Sequence, residues 1–432
     1  MFYNRNIINY IDIFPCYGDA AMKGQQKITY QFITFCILIL FVTSSINTVF
    51  FVQAQEQTKE SIESTFPDRT YVKRLLRFAD MPGFSVGIIN QDGTVDYYNF
   101  GETTRRSGNT PTKDTVYFAA SITKTVTGVA IMQLWEQGKI DLDADVKEYL
   151  PFELRHPDYP DTPITTRMLL SHTSGLTNIL WRSFLYFSFF HYPLEWYEYF
   201  LTPGNPFYRE DNWQEYGPEE GIYYTSLGYD LLGLIVERVS GMEFEDYCQQ
   251  HIFEPLNMHN TSLRLSDYNM DQFATFYLYL FGIYLPIPYY EVHNDGSAGM
   301  SSTVEDLIHY LKMHLQNGSY ENTQILKPET IELMHTVQYP DLPTYDIYRD
   351  NRNYGLGWIV WPDENQTYNT GMEGHLGNTL GCLSSMTVLN GTGVVFFGNE
   401  WTRLSYKQTA VMFALRSYFH TKIKPSFLSI LS

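Results

Sequence analysis

The strand signals of this 432-residue chain sit near its two ends, and that separation limits the folds open to it. Toward the amino side, Gly83 to Asn90 alternates Phe84, Val86 and Ile88, turns at Asp92-Gly93, and returns from Val95 to Phe100. An Asp-Gly pair between alternating apolar runs marks a hairpin, because the tight turn needs positive φ at its centre. Strand patterns resume only at Leu356 to Trp361, Leu380 to Leu389 and Gly393 to Gly398, the last two joined by Asn390-Gly391. Residues 404–420 then read as a closing amphipathic helix. The sheet must therefore be assembled from both ends, over about 65–115 and 353–420, with a mostly helical part over about 116–352 between them. The expectation is an α+β fold: an antiparallel sheet flanked by helices, plus an all-helical subdomain.

Charge and cysteine usage remove several function classes. With 29 Lys+Arg against 48 Asp+Glu, the net charge of −19 repels phosphate, and no basic patch offsets it, so no nucleic acid is expected as a partner. Four cysteines without C-x-x-C spacing suggest neither a zinc ribbon nor a thioredoxin-like site. No H-E-x-x-H and no His/carboxylate cluster with ligand spacing appears, so neither a metal nor another cofactor is expected.

Residues 32–42 form an uncharged apolar run, preceded by Lys23 and Lys27 and followed by Val52-Gln53-Ala54. That order fits a secretory signal beginning at Met22, with residues 1–21 an upstream extension. Val49-Phe50-Phe51-Val52 prolongs the uncharged stretch toward spanning length, so residues 22–54 read as a signal peptide or a membrane anchor. On either reading residues 55–432 work outside the cytosol, secreted or membrane-tethered. Export leaves Cys248 and Cys382, whose bridging the compartment permits. The sequons at Asn260, Asn317, Asn365 and Asn390 matter only in a eukaryotic secretory pathway.

Residues 121–137 carry the first chemical signal. Val126, Val129, Ala130 and Leu134 fall at helical spacing, and Gly138 marks the stop. Ser121 then opens a helix whose first turn carries Lys124, and positions i and i+3 share a face. A serine hydroxyl attacks poorly until a base takes its proton, and a desolvated lysine can be that base. The helix amino end adds N–H groups suited to a developing oxyanion. The plainer reading is that Ser121 is an N-cap.

Further segments follow in order: Leu170-Ser171-His172-Thr173-Ser174-Gly175-Leu176; Tyr224-Thr225-Ser226-Leu227-Gly228-Tyr229-Asp230-Leu231-Leu232-Gly233; Glu254-Pro255-Leu256-Asn257-Met258-His259-Asn260-Thr261; Ser297-Ala298-Gly299-Met300-Ser301-Ser302-Thr303-Val304-Glu305-Asp306-Leu307; and Gly374-His375-Leu376-Gly377. In this order and spacing they resemble the serine β-lactamase and penicillin-binding-protein family, in its class C-like branch, over about residues 65–420. The resemblance implies that Ser121 is the acylated nucleophile and Lys124 its proton-handling partner. It places Tyr224 at the head of a Y-x-N element, as a phenol between two cations that can ionise below its usual value of about 10. It makes His375-Leu376-Gly377 the counterpart of a K-T-G strand motif, with Gly377 letting substrate lie along the strand. The oxyanion hole would be the backbone N–H groups of Ser121 and Asn378.

Two positions depart from the family pattern. Ser226 stands where Asn is expected, and a hydroxyl lacks an amide's paired donor and acceptor reach. His375 stands where Lys is expected, and a neutral imidazole holds a carboxylate less firmly. Elsewhere, Gly83-Phe84-Ser85-Val86-Gly87 matches the G-x-S-x-G elbow, but a hairpin follows rather than a helix, so Ser85 reads as a strand residue. His172 reads as a structural hydrogen-bonder. Aromatics crowd residues 181–200 and the stretch from Phe273 to Tyr290. These serve core packing, or overhang the site or touch a membrane surface.

The reading is a serine hydrolase acting through an acyl-enzyme on a small-molecule or peptide substrate, an ester or amide in preference to a β-lactam. The alternative is a catalytically weak or inactive binding or scaffold protein on the same fold, a reading that Ser226 supports. Membrane association through residues 28–54 or the aromatic stretches is the remaining partner expectation.

Overall fold

The computed structural model describes residues 67–177, 195–205, 208–280, 282–290, 296–345, 352–361, 372–400 and 406–422. The upstream extension, the signal or anchor at 22–54, the sequon at Asn365 and most of the first aromatic stretch lie outside the described residues. Among the described residues no helix is long and apolar enough to cross a membrane.

Helix α1 (Arg69–Ala79) starts where the Asp68 carboxylate accepts from the N–H groups of Thr70 and Tyr71. It stops at Asp80, whose φ of 56° breaks the helix. Its buried residues Val72, Leu75, Leu76 and Ala79 recur at helical spacing and face the sheet. The sheet strands are β1 (Gly83–Ile89), β2 (Val95–Gly101), β3 (Asn353–Tyr354), β4 (Ile359–Trp361), β5 (Met372–Thr379), β6 (Cys382–Leu389) and β7 (Thr392–Gly398). They form one seven-stranded antiparallel sheet in the order β2-β1-β7-β6-β5-β4-β3. The two ends of the chain meet between β1 and β7, where Phe84 lies opposite Gly398 and Ile89 opposite Gly393.

Each face of this sheet is covered. On one, α1 and the closing helix Tyr406–Thr421 pack Val72, Leu75, Val411 and Leu415 against Phe84, Phe100 and Phe396. On the other lies the helix Val304–Leu315, which comes so close that a Cβ at Gly87 would meet Ile308 at 2.8 Å and one at Gly393 would meet Leu311 at 2.7 Å. The absence of side chains at those two positions sets the helix-to-sheet distance. Helix α2 (Thr123–Glu136) is buried from Thr123 through Met132 and again at Leu134, so it has no solvent face and runs through the centre of the main core. Helix α3 (Leu227–Ser240) packs beside it and ends at Gly241, with φ 75°.

Three features differ from the sequence reading. Strand β5 has no apolar alternation, because Gly374, Gly377, Asn378 and His375 interrupt it, and periodicity alone passes over it. The middle of the chain also holds short β-pairings: Tyr117–Phe118 with Ser301–Ser302, and a hairpin of Phe276–Leu280 with Ile283–Ile287. That hairpin absorbs the second aromatic stretch, with Phe276 and Tyr290 packed on Phe118 at ring distances of 4.6 and 5.0 Å, while Ile283 is exposed. Finally, Cys248 and Cys382 are both buried and are not bridged to each other. The permitted bridge is not made, and the Cys382 thiol instead donates to the Phe118 carbonyl at 3.2 Å.

Candidate active site

The approach to Ser121 is fixed by side chains of β6. Cys382 holds the Phe118 carbonyl, the Ser384 hydroxyl donates to the Ala119 carbonyl at 2.8 Å, and the Ala119 N–H donates to the Met300 carbonyl at 2.9 Å. Ala120 then adopts a left-handed φ of 49°, a strain of about 1–3 kcal/mol for a residue with a Cβ. Thr123 locks this turn, donating its hydroxyl to the Ala120 carbonyl at 2.6 Å and accepting from the Met300 N–H at 3.2 Å. Ser121 therefore lies in a 3-10 turn ahead of α2, half-buried. The residue capping α2 is Ile122, and no side chain closes the cap, so the N-cap reading of Ser121 is excluded.

Lys124 is fully buried one turn on. Its Nζ is 3.2 Å from the Ser121 Oγ, 3.2 Å from the Ser226 Oγ and 2.9 Å from the Ser297 carbonyl oxygen. Those contacts match the donors of an ammonium group; a neutral amine would keep two and turn its lone pair to a hydroxyl. Burial pushes the Lys124 amine down to about 7, and the attraction of Asp230 works against that fall. Ser226 has no capping bond at the start of α3, which leaves its hydroxyl to Lys124.

The segment holding Tyr224 and Ser226 is tied to His172. The Tyr223 N–H donates to the His172 carbonyl at 2.9 Å, and the Thr225 N–H donates to His172 Nδ1 at 3.2 Å. An acceptor Nδ1 means a neutral ring, in keeping with burial and the nearby Lys124 charge, which hold His172 well below the usual imidazole range. The ring packs against Tyr224 and Tyr354 at 4.7 and 4.6 Å, at a residue whose own φ is 62°. His172 is thus the structural hydrogen-bonder that the sequence suggested. Tyr224 is buried, with the Lys124 Nζ 5.1 Å from its ring centre and the His375 ring 6.1 Å away.

His375 on β5 is also buried. Its Nδ1 lies 2.7 Å from the Leu376 carbonyl, which can only accept, so Nδ1 carries the hydrogen and Nε2 the lone pair. Burial first, then the Lys124 charge, push its pKa down to about 3, so it is neutral at physiological pH. Tyr224 consequently faces one titrating amine, not the two cations that the resemblance implied. Gly377 is in close contact with the nucleophile turn: a Cβ there would lie 2.3 Å from the Ala119 carbonyl and 3.3 Å from the Ser121 nitrogen. Asn378 is half-buried opposite Leu383 of β6. On the other side of β5 the ladder with β4 ends at Gly374, so among the described residues His375 to Thr379 keep a strand edge open there.

Ser121, Lys124, Tyr224, Ser226, His375 and Gly377 thus form one cluster. Ser85 does not join it; it is buried inside β1, 3.2 Å from the Tyr117 hydroxyl. Two residues without a role in the sequence reading do join it. Ser297 supplies the carbonyl that holds Lys124, and Asp230 is buried in the first turn of α3. The available signal was a single carboxylate inside Leu227-Gly228-Tyr229-Asp230-Leu231-Leu232, a helix otherwise apolar there. Among the described residues, Glu237, Glu243 and Glu245 bring three carboxylates close enough to share an ion, outside this cluster. A hollow of about 530 Å³ lined by His314, Glu332, His335 and Glu373 also shares none of these side chains.

A family model described as Beta-lactamase matches residues 69–403. Protein flp of Staphylococcus aureus (strain MW2) is 26% identical over 345 residues, covering 76% of this chain. The match spans only 62% of that protein's own length. Penicillin-binding protein 4 of Amycolatopsis lactamdurans is 27% identical over 334 residues, covering 73% of this chain and 79% of that one. Among solved structures, the octameric penicillin-binding protein homologue from Pyrococcus abyssi superposes with a TM-score of 0.67 at 26% identity, covering 82% and 77% of the two chains. A β-lactamase/D-alanine carboxypeptidase from Pseudomonas syringae shares the fold, with a TM-score of 0.62 at 18% identity over 82% and 98%.

Proposed function

The chain belongs to the β-lactamase family, a family of serine hydrolases that takes in penicillin-binding proteins, and from that premise we propose that it forms an acyl-enzyme at Ser121. The Ser121 Oγ attacks a substrate carbonyl carbon, and its proton passes to the lone pair of neutral Lys124. The oxyanion is met by the N–H groups of Ser121 and Asn378. The ammonium returns the proton to the leaving alkoxide or amine, directly or through Tyr224, and water then releases the acyl group by the same path in reverse. The observation that carries this reading is an amine 3.2 Å from a half-buried serine hydroxyl, with burial bringing its pKa to about 7. A base poised near the working pH is where proton transfer is most effective.

The two departures bear on substrate more than on the step itself. Ser226 keeps its hydroxyl 3.2 Å from Lys124, so the amine retains its support while an amide's second arm toward substrate is gone. His375 is neutral and offers an Nε2 lone pair, which suits an uncharged or hydrogen-bond-donating group better than a carboxylate. The substrate class is therefore an ester, amide or peptide without a free carboxylate at that position. The open edge of β5 supports a substrate that lies along it as an added strand. The basic, apolar and small-residue order of residues 22–54 supports work outside the cytosol, and an amino end near Gln55 in the mature protein would mark a cut signal.

Intact-mass measurement after incubation with paired substrates tests this reading. Neutral esters and amides should leave an acyl mass or turn over faster than partners differing only by a carboxylate. A folded chain that gains no mass from any ester, amide, D-amino-acid peptide or β-lactam favours the scaffold reading.

A further inference from the structure

Asp230 is a buried carboxylate for which the proposed reaction has no use. It is only 7% exposed, and its Oδ1 has no hydrogen-bond partner. The Ser297 hydroxyl beside it is also buried, and that hydroxyl and the Ser297 backbone both favour the ionised acid, against the larger effect of burial. Packing sets this arrangement. A Cβ at Gly296 would lie 2.1 Å from the Tyr229 carbonyl, and one at Gly233 would lie 3.2 Å from the Gly296 Cα. The 296–297 backbone therefore rests directly on α3 around Asp230. Thr127 of α2 secures the other side, donating to the Gly296 carbonyl at 2.6 Å. Ser297 is thus held between Asp230 and Lys124, accepting from the amine through its carbonyl.

A buried acid lacking part of its hydrogen bonding destabilises a fold, and the amino-terminal turn of α3 offsets only some of that cost. Burial raises the acid to about 7 and lowers the amine to about 7, while each resists the other's change. The remaining groups facing Lys124 carry no opposing charge. His172 and His375 are neutral, and the Tyr229 phenol, its ring 5.6 Å from Nζ, is pushed well above its usual range. The Tyr224 ring, at 5.1 Å, presents its face to the amine.

We propose that Asp230 is a positioning residue which, across Ser297, provides the buried counter-charge that lets Lys124 take up and return the Ser121 proton. The inference rests on the acyl-enzyme reading above. In the step concerned the Ser121 O–H bond breaks, an N–H bond forms on Lys124, and the resulting ammonium is balanced by a carboxylate that stays in place. Ser226, with a single hydroxyl where the family pattern has an amide, leaves more of that stabilisation to Asp230.

The test is the rate of fluorophosphonate labelling between about pH 5 and about pH 9, on the full chain and on the Asp230→Asn and Ser297→Ala variants. In the parent chain labelling should rise through a midpoint near 7, as the amine loses its proton. Asp230→Asn removes the attraction that holds the amine up, so the midpoint should fall by about one pH unit and the plateau several-fold. Ser297→Ala keeps the carbonyl but removes the hydroxyl that eases the acid's ionisation, and should move the midpoint the same way by less. A midpoint unmoved in both folded variants overturns the role of Asp230, even if the plateau falls. Should Asp230→Asn not fold, the Ser297→Ala midpoint decides. An unlabelled parent chain overturns the acyl-enzyme reading as well, and so is told apart from a failure of Asp230 alone.

Discussion

Two buried regions of this molecule are built on opposite terms. Between the sheet and its outer helices, Phe84, Phe100, Phe396, Val72 and Leu415 pack apolar surface at roughly 25 cal/mol per Å² removed from water. Around Lys124 the interior holds an amine, a carboxylate, several hydroxyls and two neutral imidazoles. The first region stabilises the fold without chemistry. The second tolerates buried charge and a left-handed Ala120 because the surrounding turns leave little alternative. Stability and reactivity are thereby assigned to different parts of one chain.

Substitutions should separate the two regions cleanly. Lys124→Met removes the base and should lower acylation by roughly a thousand-fold, within the range of a lost general base. The same change leaves the Asp230 acid without its buried counter-charge, so thermal unfolding should occur at a somewhat lower temperature, least so in acid where Asp230 is protonated. Phe84→Ala does the reverse: a cavity beside the Phe100 and Phe396 rings, at 5.1 and 5.2 Å, should cost about 3–5 kcal/mol in denaturant unfolding while acylation per folded molecule holds. If Phe84→Ala slowed acylation as strongly as Lys124→Met, the separation of roles would fail.

Gly377→Ala probes the boundary, because its new Cβ would press on the Ala119 carbonyl and the Ser384 hydroxyl that hold the nucleophile turn. A displacement of Ser121 by a fraction of an ångström should slow acylation by up to about a hundred-fold, with a smaller loss in stability. The smallest effect concerns Glu400, a buried acid outside the site with both carboxylate oxygens unpaired. Burial raises it to about 8. Because its folded pKa lies above its unfolded value, ionisation works against the fold. The penalty grows as pH rises from about 4.3 toward 8 and is complete above that. Glu400→Gln should therefore raise the melting temperature at alkaline pH and leave it nearly unchanged in acid.

The hairpin turns at Asp92-Gly93 and Asn390-Gly391 made the two-ended sheet legible, since both signals are local. So was the pairing of Ser121 with Lys124, which needs one helical turn. Tyr224 and His375 were reachable only through the order of the motifs, because their approach is made by packing across the chain. The charge of His375 was overestimated: the resemblance counts it among two cations beside Tyr224, and burial makes it neutral. Asp230 escaped assignment because its neighbour Ser297 is brought to it by Gly296 resting on α3, a contact with no local signature. Strand β5 escaped periodicity because Gly377, which lets the nucleophile turn approach, breaks its alternation together with Gly374, His375 and Asn378.

The most direct measurement is mapping the site of a fluorophosphonate adduct by peptide mass spectrometry on the folded chain at neutral pH. The account predicts a single adduct on the peptide carrying Ser121, lost in Ser121→Ala. It is contradicted by a folded chain that takes up no probe, or by an adduct that persists when Ser121 is removed.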